Sequence, residues 1–116
     1  MKPIGKYRKA IFYKDYFEKF FLQQTEKVKA RIICTIELIE DLERVPETYL
    51  KHIASTYGLY EIRVKSGSDI FRIFCFFEAG NMIIITNGFQ KKTQKTSVKE
   101  IQRALIIMEE YKNENK

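Results

Sequence analysis

The middle of the chain contains two arginines whose spacing brings them together if the chain folds back between them. Arg63 and Arg72 lie on either side of Gly67-Ser68, a dipeptide suited to the type II′ turn of a β-hairpin. With that turn, Ser66 pairs with Asp69, and counting back along both strands places Arg63 directly opposite Arg72. Because like charges in facing positions destabilise a sheet, we interpret this pair as a binding site for an anion.

A second turn adds a third strand to the predicted sheet. A turn at Gly80-Asn81 gives the cross-strand pairs Arg72–Phe89, Phe74–Asn87 and Phe76–Ile85. Side chains alternate along a strand, so two faces follow. The face packed on helices carries Tyr60, Ile62, Val64, Phe71, Ile73, Cys75, Phe77, Met82 and Ile84. The opposite face carries Glu61, Arg63, Lys65, Ile70, Arg72, Phe74, Asn87, Phe89 and Lys91.

Two alternatives to an anion site stay open. Glu61 and solvent can neutralise the arginine pair without any ligand. A register slip of one residue would also send Arg63 and Arg72 to opposite faces of the sheet.

A row of cations on a sheet suits the backbone of RNA, which carries its own nucleophile, the 2′-hydroxyl. Arg63 and Arg72 can each donate hydrogen bonds to two phosphate oxygens at once. A lysine among these cations can accept a proton if crowding lowers its pKa, and Lys91 and Lys92 are the candidates. Phe89 is placed to stack an unpaired base. Three further lysines are candidate RNA contacts: Lys65, Lys95 and Lys99.

Three segments carry a family resemblance: GLYEIRV (58–64), FRIFCFFEAGNMIIITNGFQKKTQKT (71–96) and EIQRA (100–104). Together they resemble the HigB branch of the RelE/ParE-type toxins of bacterial toxin–antitoxin systems, a branch that includes phage-derived members. The likeness extends from about Ile11 onward. It implies an α+β, RelE-like fold in which N-terminal helices pack on a small, twisted, mainly antiparallel sheet, with a C-terminal helix.

The resemblance also implies an activity and partners. The family acts as mRNA endonucleases, usually in the ribosomal A site, and a cognate antitoxin of the helix-turn-helix class holds the toxin inactive. By position, Arg63 and Arg72 match the arginines that meet the scissile phosphate, and Lys91, Lys92 and Lys95 match the basic run after the last strand. No tyrosine follows that strand, the single histidine is His52, and Ser97 stands where many relatives have proline. The acid–base assignment therefore stays open.

Helical segments on both sides of the strands must position this sheet. We predict a first strand at 8–14, a short helix from Asp15 to Gln24, and a longer helix that Thr25 caps and Pro46 ends. Residues 47–57 form a connector, and helical spacing returns at 97–112. The predicted apolar helix positions are Phe17, Phe20, Phe21, Val28, Ile32, Ile36, Ile39, Leu42, Ile101, Leu105 and Met108.

Composition narrows the class of protein. The 116 residues carry a net charge of +6 and suit a single domain, 1–116. Basic residues gather in 1–14 and 89–99 and acidic ones in 37–47, which favours a polyanionic partner. Cys34 and Cys75 lie in apolar runs and are interpreted as reduced core thiols of a cytoplasmic protein. We find no signal sequence, membrane span, phosphate loop, HExxH motif or paired carboxylates, and expect no metal and no cofactor.

Three functions are compatible with these features. The first is the mRNA endonuclease toxin. The second is a ParE-like protein that binds and inhibits a topoisomerase without cutting RNA. The third is a degenerate toxin that acts only as a regulatory partner of its antitoxin. The clustered cations favour the first.

Overall fold

A mixed sheet with helices on both faces forms the centre of the computed structural model, which describes residues 7–91 and 97–115. Within these residues the elements are, in order, β1 (Lys9–Phe12), α1 (Tyr16–Leu22), α2 (Glu26–Asp41), β2 (Leu50–His52), β3 (Tyr60–Ser66), β4 (Asp69–Glu78), β5 (Met82–Lys91) and α3 (Val98–Glu114). The strand order is β1-β5-β4-β3-β2, with β1 parallel to β5 and the other pairs antiparallel. The predicted α+β fold, with N-terminal helices on a mainly antiparallel sheet and a C-terminal helix, is confirmed.

The first hairpin has the predicted register. Ser66 pairs with Asp69 and Arg63 with Arg72. Gly67 has a φ of 61°, the positive value that the first central residue of a type II′ turn requires. The turn chemistry therefore fixes which side chains share a face.

The second hairpin departs from the prediction at a β-bulge. Arg72 does pair with Phe89, but Phe76 pairs with Ile84 rather than Ile85. The register shifts between Ile73 and Cys75, so that Thr86 and Asn87 together lie opposite Phe74. The predicted Phe76–Ile85 pair is wrong because β4 and β5 are joined by three residues, 79–81, and the predicted Phe74–Asn87 pair falls within the bulge, which absorbs the difference.

The bulge changes which β5 residues face α1 and α2. Ile83 and Ile85, rather than Met82 and Ile84, join the core beneath these helices. The predicted β3 and β4 positions of this face are confirmed, apart from Phe77, which is 39% exposed. That core contains Phe17, Phe20, Val28, Ile32, Ile36, Ile39, Leu50, Ile62, Val64, Phe71, Ile73, Cys75, Ile83 and Ile85.

A second core lies on the opposite face, beneath α3. Phe74, Phe76 and Ile84 are buried there against Ala104, Ile107 and Met108 of the helix. The sequence prediction places Phe74 on this face but assigns no core to it, so the core beneath α3 is a correction for the half of this face that α3 covers. The other half, towards β2 and the first hairpin, keeps the predicted cations.

The C-terminus of α2 is set by a residue far away in the sequence. Thr25 caps the start as predicted, since its hydroxyl accepts from the Val28 amide at 3.2 Å. The helix ends at Asp41, however, and not at Pro46. Arg8 donates through its guanidinium to the carbonyls of Ile39, Leu42 and Glu43, which satisfies the last turn and ends the helix early.

The connector and the cysteines bring two further corrections. The segment 47–57 contains the edge strand β2, which pairs with β3. Cys75 is fully buried, and burial raises the pKa of its thiol. Cys34 is exposed and is not a core residue. In the part of the chain that the structure describes, no helix is long and apolar enough to cross a membrane.

Candidate functional site

Three rows of side chains run across the uncovered half of the sheet. The rows, read from β2 or β3 towards β5, are Lys51–Glu61–Phe74, Arg63–Arg72–Phe89 and Lys65–Ile70–Lys91. Directly paired residues point to the same side of a sheet. The structure therefore brings together, on one face, five of the predicted site residues: Arg63, Lys65, Arg72, Phe89 and Lys91.

Glu61 lies between the two arginines and forms ion pairs with both. Its Oε2 is 3.3 Å from Nε of Arg72, and its Oε1 is 3.8 Å from Nε of Arg63. The side chains of Glu61 and Arg72 are 9% and 6% exposed, and that of Arg63 is 30% exposed. Glu61 thus neutralises part of the pair, as one of the sequence alternatives proposed, yet two guanidinium groups share one carboxylate.

Arg72 is the most enclosed of these cations. Burial lowers the pKa of its guanidinium, the Glu61 carboxylate opposes that shift, and Arg63 adds to it. Nη1 donates to the Phe71 carbonyl at 3.2 Å. Nε faces Glu61 at ion-pair distance, but it has no partner with hydrogen-bond geometry among the described residues. A buried cation with incomplete hydrogen bonding favours an anion that completes it.

Lys91 ends the third row, at the end of β5. Partial burial lowers the pKa of its ammonium, and the nearby charges of Arg72, Arg63 and Lys51 lower it further, against Glu61. A lysine crowded by cations in this way becomes a better proton acceptor near neutral pH. A lysine that acts as a general base requires a lowered pKa, and the pKa of Lys91 shifts in this direction.

Lys51 belongs to this group and was missed in the sequence. It pairs with Glu61 across β2 and β3, and its charge acts on Lys91. The sequence predicts only a connector around Lys51, because a strand of three residues is too short to show the alternation of apolar and polar side chains. The one feature of the sequence that could have indicated this position is Glu61, the acidic partner of Lys51 in the next strand.

The remaining predicted residues lie around this group or outside the part of the chain that the structure describes. Lys65 is exposed on β3. Together with Arg63, Arg31 and Tyr49 it lines a cleft of about 420 Å³ beside α2. Phe89 stacks on Phe74 with ring centroids 5.6 Å apart.

Lys99 is exposed in the first turn of α3, on a different element from the arginines. Lys92 and Lys95 lie outside the described residues. His52 pairs with Tyr60, which packs on the α2 side of the sheet, so its ring is on the face opposite the arginines. Its Nε2 is 3.2 Å from the Thr56 carbonyl.

Two cations of the basic N-terminal segment are occupied by protein partners. Arg8 binds the end of α2, and Nζ of Lys14 lies 3.1 Å from Glu110 and 3.0 Å from Glu114. The sequence expectation of a polyanion at this segment is therefore not supported at these two positions. Among residues 7–91 and 97–115, no three histidine, cysteine or carboxylate side chains form a potential metal-binding group.

Comparison with known proteins identifies one family. A family model described as "phage derived protein Gp49-like" matches residues 19–109. The match includes α2, all of β2 to β5 and most of α3. No curated protein matches the chain significantly.

Proposed function

The chain belongs to the phage-derived Gp49-like family, a toxin-like family of toxin–antitoxin systems, and from this premise we propose that it is an mRNA endonuclease toxin of the HigB/RelE type. The observation that carries the proposal is the pair of arginines held by Glu61, with Lys91 and Lys51 beside them. A protein that acts by binding a topoisomerase has no need for a desolvated phosphate site.

The proposed reaction uses the nucleophile that RNA itself supplies. The 2′-oxygen attacks the adjacent phosphorus, the bond from phosphorus to the 5′-oxygen breaks, and the products are a 2′,3′-cyclic phosphate and a 5′-hydroxyl. Arg63 and Arg72 contact the non-bridging oxygens, on which negative charge builds up in the transition state. Glu61 keeps both guanidinium groups in place, so that little reorganisation accompanies the step.

Lys91 is the proposed acceptor of the 2′-hydroxyl proton. Its lowered pKa gives a larger neutral fraction than an ordinary lysine has. Lys92 is the second candidate for this role. The proton donor to the leaving 5′-oxygen stays unassigned.

The RNA strand has a basic path away from the arginines. Arg63 also lines the cleft beside α2, with Lys65 and Arg31. These exposed cations extend the charged surface around the edge of β3, where a flanking phosphate is accommodated. Lys95 and Lys99 are the proposed contacts beyond β5.

The proposal includes the partners of such a toxin. The protein acts in the cytoplasm on messages bound to the ribosome, and a helix-turn-helix antitoxin restrains it. An antitoxin with an acidic segment has the charge to cover the arginine face.

The experiment is induced expression in bacteria, followed by mapping of transcript 5′ ends. We expect growth arrest together with new 5′-hydroxyl ends inside coding regions. Arg63→Ala should remove both effects, whereas Arg44→Ala, which changes an exposed arginine in the segment after α2, should retain them. Growth arrest with intact transcripts and altered DNA supercoiling would overturn the proposal in favour of topoisomerase inhibition.

A further inference from the structure

A polar cleft of about 480 Å³ opens at the free edge of β5, beside the arginine face. β1 pairs with β5 only over Met82–Ile85, and α1 follows the edge of β5 beyond that point. The cleft is bounded by this edge, by α1 and by the start of α3. Its lining includes Lys19, Gln23, Asn87, Phe89, Gln90 and Arg103.

Asn87 gives this cleft an unsatisfied hydrogen-bond donor. The residue is 1% exposed, and Oδ1 of its side chain accepts from the Thr86 hydroxyl at 3.1 Å. Its Nδ2 has no hydrogen-bond partner among the described residues. An unpaired buried amide group destabilises the folded protein, so its retention at the wall of a cleft indicates a ligand that accepts from it.

The cleft adjoins the proposed catalytic group. Phe89 lines the cleft and is the cross-strand partner of Arg72, and paired Cα atoms lie about 4.5–5.5 Å apart. A nucleotide whose phosphate reaches Arg72 can therefore place its base, or that of its neighbour, at the cleft.

The chemistry of the lining matches a nucleobase. The amides of Asn87, Gln23 and Gln90 offer hydrogen bonds to the edge of a planar base, and Phe89 offers an aromatic surface. Lys19 and Arg103 supply positive charge for a phosphate at the rim. A purely apolar ligand would leave these amides unpaired.

We propose that the cleft binds one base of the RNA substrate and that Nδ2 of Asn87 selects a base with a carbonyl acceptor, which guanine, uracil and cytosine have and adenine lacks. This inference rests on the proposed endonuclease function. The cleft would determine which base is preferred at one position of the RNA, a position that neither the arginines nor the lysines recognise.

The first test compares base preferences around the cleavage sites in cells that express each variant. We expect the wild type to disfavour adenine at one position. Asn87→Leu, which keeps the shape but removes the donor, should reduce that preference about tenfold. Gln23→Ala, at the exposed rim, should weaken it without affecting folding. Asn113→Ala, an exposed amide at the far end of α3, is the control.

The second test does not depend on cleavage. Short single-stranded RNA containing 4-thiouridine is irradiated with the purified protein, and the cross-linked peptides are identified. Cross-links in α1 or at residues 86–90 that Gln23→Ala reduces support the cleft, even if the protein does not cut RNA. Cross-links confined to other surfaces overturn it.

The two proposals fail in different ways. Cleavage with the same base preference in wild type, Asn87→Leu and Gln23→Ala would overturn the base-binding cleft, leave the nuclease in place and assign Asn87 to a structural water. Absence of cleavage together with cross-linking at the cleft would overturn the nuclease alone.

Discussion

Glu61 determines how the two arginines behave as individual residues. It is a buried carboxylate that contacts both guanidinium groups, so the arginine pair is a three-membered network rather than two independent cations. Removing one partner of such a network leaves another buried charge without compensation. Effects on folding and on chemistry must therefore be separated by the choice of substitution.

Arg72→Ala should destabilise the protein as well as inactivate it. The side chain is 6% exposed, and its loss removes the guanidinium whose Nε lies 3.3 Å from the buried Glu61 carboxylate. We expect a loss of about 3 kcal/mol in the free energy of unfolding, measured by denaturant titration. Arg63→Ala, at a more exposed position, should cost less than about 1 kcal/mol. Equal costs for the two variants would contradict the burial difference.

Arg72→Lys separates the effect on catalysis from the effect on stability. It preserves the positive charge beside Glu61 but removes the fork that contacts two phosphate oxygens. We expect about 10²–10³-fold slower cleavage with a smaller loss of stability. A cleavage rate within a few-fold of wild type would show that charge alone suffices at this position.

Lys91→Arg tests the proposed general base. Arginine keeps the charge but stays protonated near neutral pH, so RNA binding should persist while single-turnover cleavage falls by about 10²–10⁴-fold. In the wild type, the rate should rise with pH up to the pKa of Lys91, because only the neutral amine accepts a proton and its pKa is lowered. A wild-type rate in Lys91→Arg would direct attention to Lys92.

At the scale of the elements, local signals in the sequence predicted more than distant ones. Gly67-Ser68 determined the first hairpin, and with it the opposition of Arg63 and Arg72, because turn geometry is encoded by adjacent residues. The apolar spacing of α2 likewise predicts its buried face correctly, except at Leu42, which follows the last helical residue and is 36% exposed. The arginines and Lys91 were thus brought to one face from sequence alone.

The failures concern features that depend on residues far apart in the chain. Arg8 binds the last turn of α2 from a position more than thirty residues away. The local sequence does not show this contact and therefore predicts the end of the helix at Pro46. The bulge at Thr86 and Asn87 is stabilised by the Thr86 hydroxyl, whose one proton is shared between the Phe74 carbonyl across the sheet, at 3.2 Å, and Oδ1 of Asn87, at 3.1 Å. Neither contact leaves a pattern in neighbouring residues.

The packing of α1 on β5 predicts a strict requirement at Gly88. A Cβ atom at this position would lie 2.7 Å from the ring of Phe20, whose side chain is buried in the first core. Gly88→Ala should therefore cost about 1–3 kcal/mol in the free energy of unfolding. In a Phe20→Ala background the same change should cost much less. Equal costs in both backgrounds would show that the clash is absent.

Across the whole molecule, a polar cluster joins the end of α3 to the segment between β1 and α1. Tyr13 donates to Glu114 at 2.7 Å and Tyr16 to Glu110 at 2.8 Å, and Lys14 bridges both carboxylates. These contacts lower the pKa of Glu110 and of Glu114, chiefly through the tyrosine hydrogen bonds. The cluster fastens α3 over the second core.

This cluster should make part of the stability depend on acidity. Because both carboxyl pKa values are lowered on folding, their contribution is present above the unfolded-state pKa of about 4.3 and is lost as the pH falls through the folded values. The pKa of Lys14 is raised by the same two carboxylates, so Lys14 stays protonated throughout the acid range and its ion pairs are lost only when the carboxylates are protonated.

The double variant Glu110→Gln/Glu114→Gln should accordingly unfold at lower denaturant concentration than the wild type at about pH 7. The difference should narrow below about pH 4. Glu109→Gln, on the exposed side of α3, is the control and should unfold like the wild type. A difference that is independent of pH would rule out the carboxylates as its source.

The parallel pairing of β1 with β5 has a consequence for synthesis. A nascent chain emerges N-terminus first, at roughly 5–20 residues per second, so β1, α1 and α2 leave the ribosome before the strand that separates β1 from β4 exists. Until Met82–Ile85 appears, β1 has no neighbour in the sheet and the first core lacks Ile83 and Ile85. Lys91 is added later still. The cationic face is therefore completed only when translation of the strands is finished, which gives any restraining partner the interval of synthesis in which to act first.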